Sequence, residues 1–362
     1  MAHILITGFP GFLGSAMVPR LLRRRPDTHL VALVQPKFAA LARQRVEALA
    51  SVDPSWPGRV LLTEGDITRK ALGLDRQAAW KQDLEAIYHF AAAYDLSVPR
   101  EIGRRVNLDG TRHVLQLAQT SPSLQRLHYV STCYVSGRHK GWFSEHDLDV
   151  GQRFNNHYEE TKFLAECAVQ EAMRQGLRTS IYRPAVVVGH SQTGATQKYD
   201  GPYYMLRWIL RWPRWAPMPL LGDAQHHYLN LVPRDYVIDA LDALSAPPTE
   251  ESRVYHLSDP HPCSIKTLLT LFERATQRNL LRIPLPVGPT LRLARRFPAL
   301  TQGLGFPPEI LDYYVHPTRY ACEQTQDVLK GAGVSCPPVA SYVDRLVDYM
   351  RRYPAIPSKA MT

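Results

Sequence analysis

With 362 residues and a formal charge of +10, the chain can bury a sizeable core in one large domain or two lobes. Its basic balance comes without a nucleic-acid recognition module or a basic-aromatic repeat, which argues against DNA or RNA and for anionic small molecules or an acidic partner surface. No apolar stretch reaches about 18 residues, so no membrane-spanning helix is expected. Five cysteines without a CxxC spacing fit a reducing cytoplasm and no structural zinc.

The first five residues after Ala2, HILIT, form an apolar, β-branched run that reads as a buried strand. Because Gly8 and Pro10 break that run, it is not read as a signal peptide. Gly8, Gly11 and Gly14 follow as GxxGxxG. Gly8 permits a tight turn, Gly11 a close backbone approach to a pyrophosphate, and Gly14 close packing of the next helix on the sheet. That helix, about residues 15–24, points its positive end at the phosphates. A second strand, HLVALV, completes a βαβ unit. Gly8, Phe9, Gly11, Phe12, Leu13 and Gly14 are therefore the expected dinucleotide loop.

After the second strand the chain reads Gln35, Pro36, Lys37, with no carboxylate before Glu47. An Asp or Glu there would bind the ribose hydroxyls of NAD and repel a 2′-phosphate. Cations attract one. NADPH is the expected cofactor, with Lys37 on the phosphate and Arg43 or Arg45 assisting.

Further along, Tyr158 and Lys162 stand four apart in HYEETK, a spacing that shares one helix face. A Lys beside a Tyr lowers the phenol pKa toward the working range and makes it a general acid for a carbonyl. Upstream, LHYVSTCYVSG reads as a strand ending in the hydroxyls Ser131 and Thr132, and either is placed to hydrogen-bond a substrate oxygen.

Together these motifs resemble an extended short-chain dehydrogenase/reductase, over roughly the first 190 residues. The resemblance implies an α/β fold, a Rossmann-type doubly wound parallel sheet with a smaller, mostly helical substrate lobe. It implies Asp66, with Ile67, at the adenine. Ala91, Ala92 and Ala93 match the backbone-contact strand, with Phe90 where an Asn or His is usual. Asn107 matches the residue that steadies the catalytic Lys. Counting back from Gly137 selects Thr132 over Ser131 as the catalytic hydroxyl. Tyr158 is the acid, Lys162 its partner and ribose contact, and Pro184 and Val187 lie at the nicotinamide. No metal is implied.

A narrower resemblance, carried by GDITRKALGLD, FAAAYDLSVP, TGATQKYDGPYYMLRWIL, YLNLVPRDYVIDAL and VYHLSDP, is to the fatty acyl-CoA reductase branch. It implies NADPH-dependent reduction of a long-chain acyl-CoA, an acyl carrier protein thioester or a fatty aldehyde. The family also suggests a homodimer. The alternatives are a hydroxysteroid-type or other alcohol/ketone dehydrogenase, a nucleotide-sugar epimerase or dehydratase, and a non-catalytic NADP-binding scaffold.

The expected nucleotide domain covers residues 1–190, with 228–260 returning to it. Residues 191–227 and 261–362 form the substrate lobe. Within that lobe YYMLRWILRWPRW reads as an amphipathic helix with Tyr204, Trp208, Ile209 and Trp212 on one face. That face either packs on the cleft, lines an acyl tunnel, or rests on a membrane surface, so the location expected is cytoplasmic with peripheral membrane contact left open. The proline-rich stretches PRWAPMPLL and RIPLPVGP read as loops. Glu159 and Glu160 are expected to face solvent, Cys133 to be a small apolar strand residue, and His226-His227 to bind no metal.

Overall fold

The computed structural model describes residues 1–75, 78–246, 251–297 and 308–356. In chain order the strands are β1 (His3–Thr7), β2 (His29–Val34), β3 (Val60–Glu64), β4 (Leu84–His89), β5 (Arg126–Val130), β6 (Gly141–Phe143), β7 (Thr179–Pro184), β8 (Val186–Val188), β9 (Trp215–Leu221), β10 (Leu231–Pro233), β11 (Arg253–Leu257), β12 (Asn279–Leu285) and β13 (Thr318–Tyr320). Seven of them form one sheet in the order β11-β7-β5-β4-β1-β2-β3, parallel throughout. The chain winds outward from β1 through β2 to β3, then crosses back to β4 and continues the other way. The reversal lies between β1 and β4, where doubly wound sheets open a crevice at their carboxyl ends.

Strands covered on both faces are expected to be apolar throughout. Leu5 and Ile6 point to opposite sides of β1, yet both are fully buried. One face packs against α1 (Phe12–Arg24), α2 (Ala39–Ala48) and, later in the chain, α7 (Arg234–Ser245), through Met17, Leu21, Val46, Val237 and Leu241. The other face packs against α4 (Gly110–Thr120) and α5 (His157–Arg174) through Val114, Ala165 and Val169. A short helix, α3 (Arg100–Gly103), runs through a π-helical turn at Arg104–Asp109 into α4.

A separate core gathers α6 (Tyr203–Leu210), α8 (Ile265–Thr276) and the helix Val343–Arg352 through Leu206, Ile209, Leu268, Phe272, Leu346 and Val347. Helix α9 (Val287–Arg296) flanks this region. Two parallel pairs tie distant parts of the chain, β9 to β12 and β6 to β13. β11 lies beside β7 in the main sheet. No helix among the described residues is long and apolar enough to cross a membrane.

The structure departs from the expected second half in two places. Both proline-rich stretches expected as loops contain strands, β9 and β12. A two-stranded pair has an open edge on each strand, so a residue without an N–H can sit where no partner is required. Helix α6 ends at Leu210, so Trp212 and Trp215 lie outside it. Its buried residues are Tyr203, Met205, Leu206 and Ile209, and Trp208 donates to the Pro217 carbonyl at 2.6 Å. The aromatic helix thus packs into the second core.

Candidate active site

At the carboxyl ends of the strands a cavity of about 940 Å³ runs from the glycine loop to Tyr158. Gly8, leaving β1, has φ of 82°. A Cβ there would lie 2.7 Å from the Ala91 amide nitrogen, and one at Gly11 or Gly14 would lie 2.6 Å from the Gly8 carbonyl oxygen. The glycines thus let loop, β4 end and helix α1 nest together. Helix α1 begins with Gly11 as its N-cap, no side-chain cap and no acidic residue in its first turn. Its first N–H groups remain available to an anion. Phe9, Phe12 and Leu13 line the same cavity. These features fit a dinucleotide pyrophosphate.

Lys37 is exposed at the cavity rim, its ammonium 5.0 Å from the Phe38 ring centroid. The two arginines expected to assist it are placed otherwise. Arg43 is exposed and not part of the cavity lining. Arg45 donates to the Pro10 carbonyl and to Ser15 Oγ, so it clamps the glycine loop from behind. At the far end Asp66 accepts from the Thr68 amide at 2.8 Å. Burial pushes its carboxyl up, but hydrogen bonds from Thr68 and Gln35 overcome this and hold it below the usual range. Ile67 lines the cavity beside it, as do Ala91, Ala92, Ala93, Pro184 and Val187.

The Ala91–Ala93 segment is held by a buried polar relay. Ala91 N–H donates to Thr7 Oγ1 at 3.2 Å, Thr7 meets His89 Nδ1 at 2.7 Å, and His89 Nε2 meets Thr111 Oγ1 at 3.1 Å. Burial, with the Lys162 charge nearby, lowers the His89 pKa to about 3, which keeps this ring neutral. The π-helical turn aims Asn107 into the same relay. Its Oδ1 accepts from Ala93 N–H at 2.8 Å, and its Nδ2 donates to the Ala93 carbonyl at 3.1 Å and to Thr161 Oγ1 at 3.0 Å. Asn107, expected to steady Lys162, has no bond to the lysine itself among these contacts. It joins the segment after β4 to helix α5 at Thr161, one residue before Lys162.

At the reactive edge, Thr132 caps a 3-10 turn with Oγ1 accepting from Tyr134 N–H at 3.2 Å. The Thr132 hydroxyl lies near enough to the Tyr158 phenol to pull its pKa down, and both line the cavity. Ser131 is committed elsewhere, donating to Glu166, so of the two hydroxyls Thr132 is the one that meets the tyrosine. Lys162, buried, donates to Tyr129 Oη at 2.9 Å and to the Val130 carbonyl at 2.8 Å. Burial lowers its pKa to about 7, against the pull of Glu166.

The tuning expected between Lys162 and Tyr158 differs from what is seen. Burial raises the Tyr158 pKa, the Thr132 hydroxyl opposing it. The lysine protons go to β5, not to the phenol. Tyr158 is thus a phenol kept protonated at neutral pH.

Other wall residues are not among the site residues expected from the sequence. Tyr94, Lys198 and Asp200 enter from two loops, and Ile310, Tyr313 and Tyr314 from a distant segment. Tyr313 explains a further correction. Glu159, expected to face solvent, is fully buried, because Tyr313 covers it and donates to its Oε1 at 2.6 Å. Asn155 adds bonds from N–H at 2.8 Å and Nδ2 at 3.0 Å. Glu160 does reach the surface and pairs with Arg100 at 2.8 Å.

Burial raises the Glu159 pKa from 4.5 to about 7. The folded state therefore holds this proton where the unfolded chain has lost it, and stability from this group falls as pH rises from about 4.5 to about 7. Glu159→Gln is expected to gain in melting temperature relative to the parent between about pH 5 and about pH 8. A difference that stays flat across that range would refute the assignment.

Residues 6–241 match the family model described as male sterility protein, an NAD-binding family. Glycine betaine reductase ATRR of Emericella nidulans is 30% identical over 282 residues, covering 73% of this chain and 21% of that protein. Aldehyde reductase lnaA of Aspergillus flavus is 30% identical over 277 residues, covering 72% of this chain and 26% of that protein. The chain thus spans about a quarter or less of these relatives. The crystal structure of the terminal R domain from the myxalamid PKS-NRPS biosynthetic pathway superposes with a TM-score of 0.81 at 29% identity, over 99% of this chain and 92% of that one. A UDP-glucuronic acid 4-epimerase from Bacillus cereus, at 18% identity and a TM-score of 0.67 over 97% of both chains, shares the fold. The glycine loop, the seven-stranded sheet and the family match agree: this chain belongs to the male sterility protein family of extended short-chain dehydrogenases/reductases, which are NAD(P)-dependent oxidoreductases.

Proposed function

We propose that the chain is an NADPH-dependent reductase of acyl thioesters or the derived aldehydes, the acyl group being presented by a carrier protein or coenzyme A. The observation that carries this is that Thr132, Tyr158 and Lys162 line the same cavity as the glycine loop. Reductase domains and aldehyde reductases among the relatives support it.

NADPH, when bound, supplies a hydride. Gly8, Gly11 and Gly14 with the start of α1 hold its pyrophosphate, Asp66 and Ile67 its adenine end, Lys37 its 2′-phosphate, and Pro184 and Val187 its nicotinamide end. Tyr158 gives its proton to the carbonyl oxygen, and Thr132 hydrogen-bonds the same oxygen as negative charge grows there. Lys162 orients the ribose and holds the floor of the site through Tyr129 and Val130. A thioester reduced in this way becomes a hemithioacetal, whose collapse releases a thiol and an aldehyde. The phenol's high pKa suits this direction, since the group is loaded with its proton before the substrate arrives.

The long-chain alkyl substrate rests on less. The aromatic helix, for which an acyl tunnel was one of three readings, packs into the second core, and the cavity wall near Tyr158 carries hydroxyls and charges. NADPH oxidation against palmitoyl-CoA, a carrier-bound acyl thioester, a long-chain aldehyde, a sterol ketone and a nucleotide sugar separates the readings. Turnover only with the sterol or the sugar would reject this one. Lys37→Glu is expected to raise KM for NADPH by roughly tenfold while moving KM for NADH little. Equal changes for both would remove Lys37 from the phosphate.

A further inference from the structure

As an ammonium, Lys162 carries three N–H donors, and β5 takes two of them, at Tyr129 Oη (2.9 Å) and the Val130 carbonyl (2.8 Å). One donor is left for the cavity that Lys162 lines. The ammonium also lies 4.4 Å from the centroid of the Tyr129 ring. Tyr129 is only 1% exposed, and burial, with the Glu166 charge, holds its phenol protonated. The Thr111 and Ser131 hydroxyls lie near enough to act on that phenol. Thr111 donates its one proton to the Asn107 carbonyl at 2.6 Å, and Ser131 donates its own to Glu166. On the side of Tyr129 both hydroxyls can therefore only accept. They draw the phenol proton toward themselves and leave an oxygen lone pair for Lys162. A phenylalanine would fill nearly the same volume and offer no such acceptor.

We propose that Tyr129 is a positioning residue of this site: its oxygen, polarised from behind by Thr111 and Ser131, fixes the rotation of the Lys162 ammonium so that the N–H left over meets the cofactor ribose. The inference rests on the carbonyl-reductase reading above and adds what holds its lysine. The titratable groups facing the ammonium are Glu166 on its own helix, Tyr158 one turn back on the same face, His89 from β4, which burial keeps neutral, and Tyr129 from β5. A hydrogen bond accepted from the charged form of an amine favours that form. Losing the Tyr129 oxygen should therefore let the lysine discharge at lower pH.

The test is Tyr129→Phe, read by NADPH affinity against pH through fluorescence, and by kcat at saturating NADPH with a carbonyl that the parent reduces. In the parent, affinity is expected to fall along an alkaline limb as Lys162 loses its charge, and Lys162→Met is expected to lack that limb. Tyr129→Phe is expected to shift the limb down by about one pH unit and to lower kcat by about tenfold to about a hundredfold, with KM for the carbonyl substrate unchanged. A tyrosine that serves only as packing keeps its ring in the variant and leaves limb and kcat where they were, which overturns the inference. A parent without the limb, or a limb that survives Lys162→Met, overturns it as well. Thr111→Val takes away one of the two acceptors behind the phenol and should move the limb the same way by less. It is judged by the same readouts if Tyr129→Phe no longer melts cooperatively. A parent that binds NADPH but reduces none of the carbonyls named above rejects the proposed function, and the affinity limb still judges Tyr129.

Discussion

Tyr158→Phe is expected to lower kcat by about 10²- to 10⁴-fold, the range of a positioned proton donor, while NADPH binds within a few-fold of the parent. Tyr158 lines the cavity together with Thr132, and removing its oxygen deletes the donor and leaves the ring in place. The two measurements are single-turnover reduction and cofactor binding by fluorescence. Thr132→Val removes the partner hydroxyl with little change of volume and should slow the same step less. If Tyr158→Phe instead abolished cofactor binding, the tyrosine would be a structural wall of the dinucleotide site.

The largest stability effect is expected at Glu166. Its carboxylate meets Arg183 at 2.6 Å with both side chains fully buried. Arg183 also donates to the Asp147 carbonyl at 2.8 Å and contacts His256 Nε2 at 3.0 Å. Glu166→Ala leaves the guanidinium buried without its counter-charge, a change that typically costs about 3–5 kcal/mol. The same substitution frees Ser131 and removes the charge that holds up the Lys162 pKa. Urea unfolding should show a lower midpoint at unchanged slope. The double variant Glu166→Leu, Arg183→Met should recover most of the loss, because two apolar groups replace the pair. A single-variant loss below about 1 kcal/mol would mean the pair is dispensable.

How far the chain could be read in advance varied with the range of the interactions. β1 and β2 stand where their β-branched runs ended, and α1 runs through Arg24 as expected, since strand, glycine turn and helix are decided within about 30 residues. Tyr158, Lys162, Thr132 and Asn107 were identifiable because each sits in a local motif on such an element. What each side chain touches was not. Asn107 reaches Ala93 and Thr161, and Lys162 reaches β5, because a π-helical turn and a strand from other parts of the chain meet there. Glu159 was misjudged for the same reason, since nothing near it in sequence announces Tyr313. Periodicity also failed where β9 and β12 carry prolines, because the pairing that makes them strands lies in the partner and not in the segment.

The link between residues 141–145 and the far end of the chain bears on biosynthesis. Phe143 pairs with Tyr320, and Glu145 accepts from Thr325, 180 positions away. Ile310, Tyr313 and Tyr314 close the wall opposite the glycine loop. The wall opposite the glycine loop thus comes from among the last residues to be translated, and closing so long a loop carries an entropic cost that slows its formation. A nascent chain has its glycine loop in place well before Ile310, Tyr313 and Tyr314 can close the far side of the same cavity.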